Sequence, residues 1–148
     1  MEESISRSIL TLKRDFSDFC NKELAEMGLA PGLMFFVIYL GRHPESSPGK
    51  LAAALKADTG HTARSVEKLV QGGFVERRQN PQDHRAFLLS LTPQGMEAFD
   101  KIRGLFARWD QEALKDFSPQ ESAELRRLLG QIVRNKQLSM QDCKEEQS

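Results

Sequence analysis

The chain has 148 residues, 39% of them hydrophobic, and its 21 basic and 21 acidic side chains leave a formal charge of zero. That length suits one compact unit, or a small domain with helices that find their burial in a second subunit, and excludes two ordinary domains. No apolar run reaches the roughly 18 residues of a membrane span, the longest being Leu33 to Leu40.

The opening residues lack the basic start and apolar core of a secretory signal, so the expected location is cytoplasmic. Ile5, Ile9, Leu12, Phe16 and Phe19 then recur at steps of four and three. This is the stripe of an amphipathic helix or a coiled-coil seam and predicts a first helix to about Met27. Pro31 is expected to open a second helix, apolar on every face from Leu33 to Leu40 and buried all round, ending before Pro44. Ser47-Pro48 reads as an N-cap followed by proline at the first helical position. The third helix that starts there turns Leu51, Ala52 and Leu55 inward.

Asp58-Thr59-Gly60 breaks that helix, and a fourth runs from about Gly60 to Gln71, where Gly72-Gly73 stops it. Thr62, Val66 and Leu69 share one face of it, leaving Gly60, His61, Arg64 and Lys68 opposite. Phe74 to Arg78 and Ala86 to Leu91 are strand candidates, the second alternating at Phe87, Leu89 and Leu91. Between them lies a polar loop, Asn80 to Arg85, with the turn signal Asn80-Pro81. Thr92-Pro93 caps a long helix with Met96, Phe99, Ile102, Phe106, Trp109 and Ala113 spaced by threes and fours. Ser118-Pro119-Gln120-Glu121 is a capping box that opens a last helix striped by Leu125, Leu128, Leu129, Ile132 and Val133. The acidic tail, 139–148, is expected to be frayed.

A helix pair followed by a hairpin with arginine near its tip is the plan of a winged helix-turn-helix, which lays one helix in a major groove and the hairpin near a minor groove. The charge distribution agrees. Between Lys50 and Arg85 seven cations (Lys50, Lys56, Arg64, Lys68, Arg77, Arg78, Arg85) face four anions (Asp58, Glu67, Glu76, Asp83), an excess of three that the rest of the chain cancels. Arg64 can pair bidentately with guanine, His61 and Ser65 can bond base edges, and Lys68 can meet a phosphate. Arg77 adds a cation to the same surface. Asp83 and Arg85, two apart, point the same way on an extended segment, so Asp83 could orient Arg85, Arg64 or Arg77 through a charge-assisted hydrogen bond. The bland reading of each is a solvated helix face and a surface ion pair.

Leu51-Ala52, Leu69, Gly73-Phe74-Val75-Glu76-Arg77, Asp83-His84-Arg85 and Leu89-Ser90-Leu91-Thr92-Pro93-Gln94-Gly95 together resemble the signature of the MarR-type (multiple antibiotic resistance regulator) winged-helix transcription factors, over nearly the whole chain. The resemblance implies a mainly α fold with a small β-hairpin wing: a winged helix-turn-helix over 31–92, flanked by dimerisation helices over 1–28 and 93–138. It implies a homodimeric repressor on a palindromic operator of double-stranded DNA, with Gly60, His61, Arg64, Ser65 and Lys68 as the reader and Asp83 and Arg85 as the wing pair. It further implies release by a small phenolic or lipophilic effector, with Phe16, Met27, Met34, Phe35 and Trp109 near the expected cleft. Two departures stand out: Leu29-Ala30-Pro31 where the family commonly has Leu-Thr-Pro, and Thr59-Gly60-His61-Thr62 at the start of the reader, where glycine lowers helix propensity and shortens reach.

Independently of any resemblance, two long amphipathic helices after a self-sufficient small domain leave more apolar surface than one subunit covers, which a twofold dimer resolves. Cys20 and Cys143 lack CxxC spacing and the three histidines are scattered, so neither a metal site nor a cofactor is expected. Rival readings are a thiol-based redox sensor acting through Cys20, as in the peroxide-sensing branch of the same family, and a winged-helix protein-interaction module without a DNA target. An enzyme is not expected, since no nucleophile, base and orienting group recur together.

Overall fold

The computed structural model describes residues 3–138. The expected frayed tail and Cys143 lie outside them. In chain order the elements are α1 (Ile5–Glu26), α2 (Met34–Arg42), α3 (Pro48–Leu55), α4 (Thr59–Gln71), β1 (Val75–Asn80), β2 (Asp83–Leu91), α5 (Pro93–Ala113) and α6 (Pro119–Asn135).

The caps read from the sequence form as expected at three helices. Ser47 Oγ accepts from Lys50 N at 3.2 Å, Thr92 Oγ1 accepts from Gly95 N at 3.0 Å, and Ser118 and Glu121 exchange both bonds of a capping box at 3.1 and 2.8 Å. The start of α2 differs. Pro31 lies in a turn, Gly32 takes a left-handed φ of 91°, and the helix begins only at Met34, with no side chain capping it. The left-handed residue breaks the helical path that proline would otherwise have opened. Nor is α2 buried on every side: Phe35 is 38% exposed and Tyr39 half-buried, while Met34, Phe36, Val37, Ile38 and Leu40 are buried.

Val37 and Leu40 meet the centre of one core, to which α1 sends Leu24, α3 Leu51, α4 Leu69, β2 Leu89, and α5 Ile102 and Leu105. In α5 the inward stripe is Phe99, Ile102 and Leu105; Met96, expected on it, is exposed. β1 and β2 pair antiparallel from Val75 opposite Leu91 to Gln79 opposite Phe87. A third backbone segment joins the base of this hairpin, where Ser46 and Leu89 exchange N–H···O bonds at 3.1 and 2.8 Å.

The junction of hairpin and α5 explains one glycine. A side chain on Gly95 would run into the carbonyl oxygen of Phe74, a backbone atom that cannot swing aside. Thr92 ties the same corner by donating to the Gly73 carbonyl at 2.5 Å.

The last helix stands apart. α6 has no buried residue, and Leu128, Leu129 and Ile132 are exposed together, as are Ile5, Ile9 and Leu12 on α1. Among the described residues, no helix is long and apolar enough to cross a membrane.

Candidate nucleic-acid interface

α4 is amphipathic, and its apolar side decides what it can present. Asp58 caps it, Oδ1 accepting from His61 N at 2.7 Å. That bond, with the charge of Arg64 adding to it, holds the Asp58 carboxyl below its ordinary range. Because its native pKa is depressed, the cap's contribution is fully present above the ordinary carboxylate range and is lost as pH falls from there through the lowered native value. Thr62, Val66 and Leu69 are buried, and His61, Arg64 and Lys68 are exposed, as the spacing predicts.

Ser65 is a correction. It is only 4% exposed, because it lies three residues after Thr62 and four before Leu69 and so shares their buried face. It cannot be offered to a base edge. Gly60 is half-buried, and a Cβ on it would sit 3.2 Å from Arg64 Nη1 and 3.3 Å from Asp58 Oδ1. The missing side chain thus leaves room for the Arg64 guanidinium to fold back over the first turn toward the cap. The His61 ring meets Phe36 edge-on at 5.9 Å, which orients it.

The wing is longer than its sequence suggests. Its strands close on Pro81-Gln82, with Gln82 N donating to Asn80 Oδ1 at 3.0 Å. Gln79 pairs with Phe87 but Asn80 with Asp83, so His84, Arg85 and Ala86 have no place in the ladder and bulge from it. Asp83 does not engage an arginine side chain; its Oδ1 accepts the backbone N–H of Arg85 at 3.1 Å, and Gln79 Nε2 donates to His84 O at 2.9 Å. These bonds shape the bulge and leave Arg85 exposed. Phe87, which alternates with Leu89 and Leu91, is exposed because the core ends at Leu89.

Arg77 is also differently placed. Its Nη2 lies 2.5 Å from Glu67 Oε2 on α4, so this exposed cation is already paired with a carboxylate. Hydrogen bonding from Arg77, and then its charge, keep the Glu67 carboxyl below its usual range. In the sequence Glu67 counts only as one of the anions of this stretch; its spacing of four from Gln71 marks a helical side-chain pair, but nothing local marks its pairing with Arg77.

The five residues considered for an effector do not form one group of the same kind. Phe16 and Trp109 touch, ring centroids 5.5 Å apart, with Phe106 5.2 Å from Phe16. Trp109 Nε1 donates to Asp15 at 2.9 Å. Met34 is buried core, Met27 is half-buried against it, and Phe35 faces outward.

Cys20 is buried, and desolvation, followed by the nearby Glu23 charge, pushes its thiol up to about 11. A thiol so placed stays protonated and slow to oxidise. At pH 8 a thiol reagent is expected to leave Cys20 unmodified in the folded protein and to modify it once denaturant is added. Rapid native labelling, mapped to this residue by peptide mass, would restore the redox reading.

The MarR family model matches residues 34–87, the stretch from α2 through Phe87 of the wing. An HTH-type transcriptional regulator, BilQ, of Clostridium symbiosum is 41% identical over 137 residues, covering 93% of this chain and 95% of its own. This chain belongs to the MarR family. Its fold agrees with that of the reduced form of MarR from E. coli, at a TM-score of 0.78 and 25% identity over 90% of this chain and 98% of that one. A MarR family regulator from Listeria monocytogenes, solved in complex with a 26mer DNA, aligns at a TM-score of 0.73 and 25% identity over 90% of this chain and 89% of that one. This chain's fold is thus a helical one whose two strands form the wing, as the sequence suggests.

Proposed function

We propose that this MarR-family chain is a homodimeric transcriptional repressor that grips a palindromic operator with α4 and the wing, and releases it when a small aromatic or lipophilic molecule binds. One observation carries the reading. His61, Arg64 and Lys68 project from a helix whose other face is sealed into the core, and the same domain carries Arg85 on a bulged hairpin tip. Such a pair of elements suits adjacent grooves of a duplex. The relative from Listeria monocytogenes, crystallised with DNA, supports it.

The dimer is supported by the apolar residues left uncovered on α1 and α6. Two readers held about 34 Å apart match successive turns of one DNA face. The aromatic cluster of Phe16, Phe106 and Trp109 between α1 and α5 supports a ligand at the junction with those helices.

Selection of bound duplexes from a random pool tests the proposal. An inverted repeat is expected, bound with an affinity that falls steeply as salt rises. Failure to enrich any motif would favour the interaction-module reading. Repeating the binding with a panel of aromatic acids checks release.

A further inference from the structure

Glu67 is out of place on a surface meant for a polyanion. It stands on the exposed side of α4, three residues after Arg64 and one before Lys68, where a carboxylate repels phosphates. Both its oxygens are nevertheless engaged. Oε1 accepts from Gln71 Nε2 at 3.1 Å, one turn along the same helix, and Oε2 accepts from Arg77 Nη2 on β1. The Arg77 guanidinium lies in turn 5.6 Å from the centroid of Phe87 on β2. A line of contacts, Gln71 to Glu67 to Arg77 to Phe87, therefore leads from the reader helix to the outer half of the wing. Phe87 is two residues beyond the last fully buried anchor, Leu89, and two before Arg85. Outward of Leu89 the wing is a two-stranded ribbon, which is marginal on its own in water.

We propose that Glu67 and Arg77 are a positioning pair for operator recognition, fixing the angle between α4 and the wing so that Arg64 and Arg85 reach their contacts together. This rests on the DNA-binding reading above. A wing without the brace is ordered only on binding, and the ordering then costs affinity.

The sign of the effect tests it. Electrostatics alone predicts that Glu67→Gln, by removing a negative charge, tightens binding to any duplex. A positioning role predicts about a fivefold loss on the selected operator, the upper range for an exposed ion pair. Affinity for unrelated duplex stays equal or tightens. Amide hydrogen exchange in 77–90 speeds up in the free protein, and the double reversal Glu67→Arg with Arg77→Glu recovers operator affinity and slow exchange.

Tighter binding of Glu67→Gln to operator and random duplex alike, with unchanged wing exchange, would overturn the proposal. So would an Arg77→Gln variant that loses affinity equally on both duplexes with a shallower salt dependence, the mark of a direct phosphate contact. If the wild type prefers no sequence at all, the DNA reading fails, and the exchange arm, which needs no DNA, still judges the brace.

Discussion

Aspartate at both Leu128 and Ile132 is expected to turn the protein into single chains and to weaken operator binding by about a hundredfold or more, the scale on which a second linked contact multiplies the first. The two positions are 43% and 37% exposed on a helix with no fully buried residue, so the carboxylates cost the isolated chain little. Placed in an apolar interface they would be charges without partners. Sedimentation gives the mass, and titration of the inverted repeat against a single half-site gives the affinity. A paired mass with unaltered affinity would remove α6 from assembly.

Arg64→Ala is expected to flatten discrimination among operator variants at one base pair per half-site by roughly 5- to 150-fold, the ~1–3 kcal/mol that a bidentate base contact provides. Arg85→Ala should instead weaken the operator and its variants together. If Arg85 meets phosphate, the salt dependence also falls by about one charge. Both arginines are exposed, so folding should be unaffected and heat denaturation serves as the control. Competition titrations with single-base operator variants separate the two behaviours. Two variants that bind every duplex like the wild type would locate the grip elsewhere.

Much of this architecture was readable because it is written in local patterns. The caps at Ser47, Thr92 and Ser118 bond their own helix within three residues, and α4's buried face follows from steps of three and four. What failed depended on geometry with no local signature. Ser65 has the chemistry to bond a base edge, but its angular position, between Thr62 and Leu69, governs its burial. Pro31 does not open α2 as its helix-start preference suggests, because left-handed Gly32 intervenes and the helix begins at Met34. Arg77 looked like one more cation because its partner, Glu67, lies ten residues away across a strand and helix. Asp83 has the chemistry to hold a guanidinium, yet it accepts the backbone N–H two residues on. The glycine at 60 looked like a loss of reach, and only the placement of the Arg64 guanidinium shows the space being used.

Where the ladder skips from Phe87 to Asp83 opposite consecutive residues of β1, the hairpin holds three residues of slack between its anchored base and its tip. Adding or removing a residue there changes how far the arginine extends without displacing Leu89 from the core or flipping the strand that carries it. Groove reach and domain integrity are thereby uncoupled. Variants of altered tip length are a way to retune which duplex shapes this chain tolerates while its melting temperature stays put.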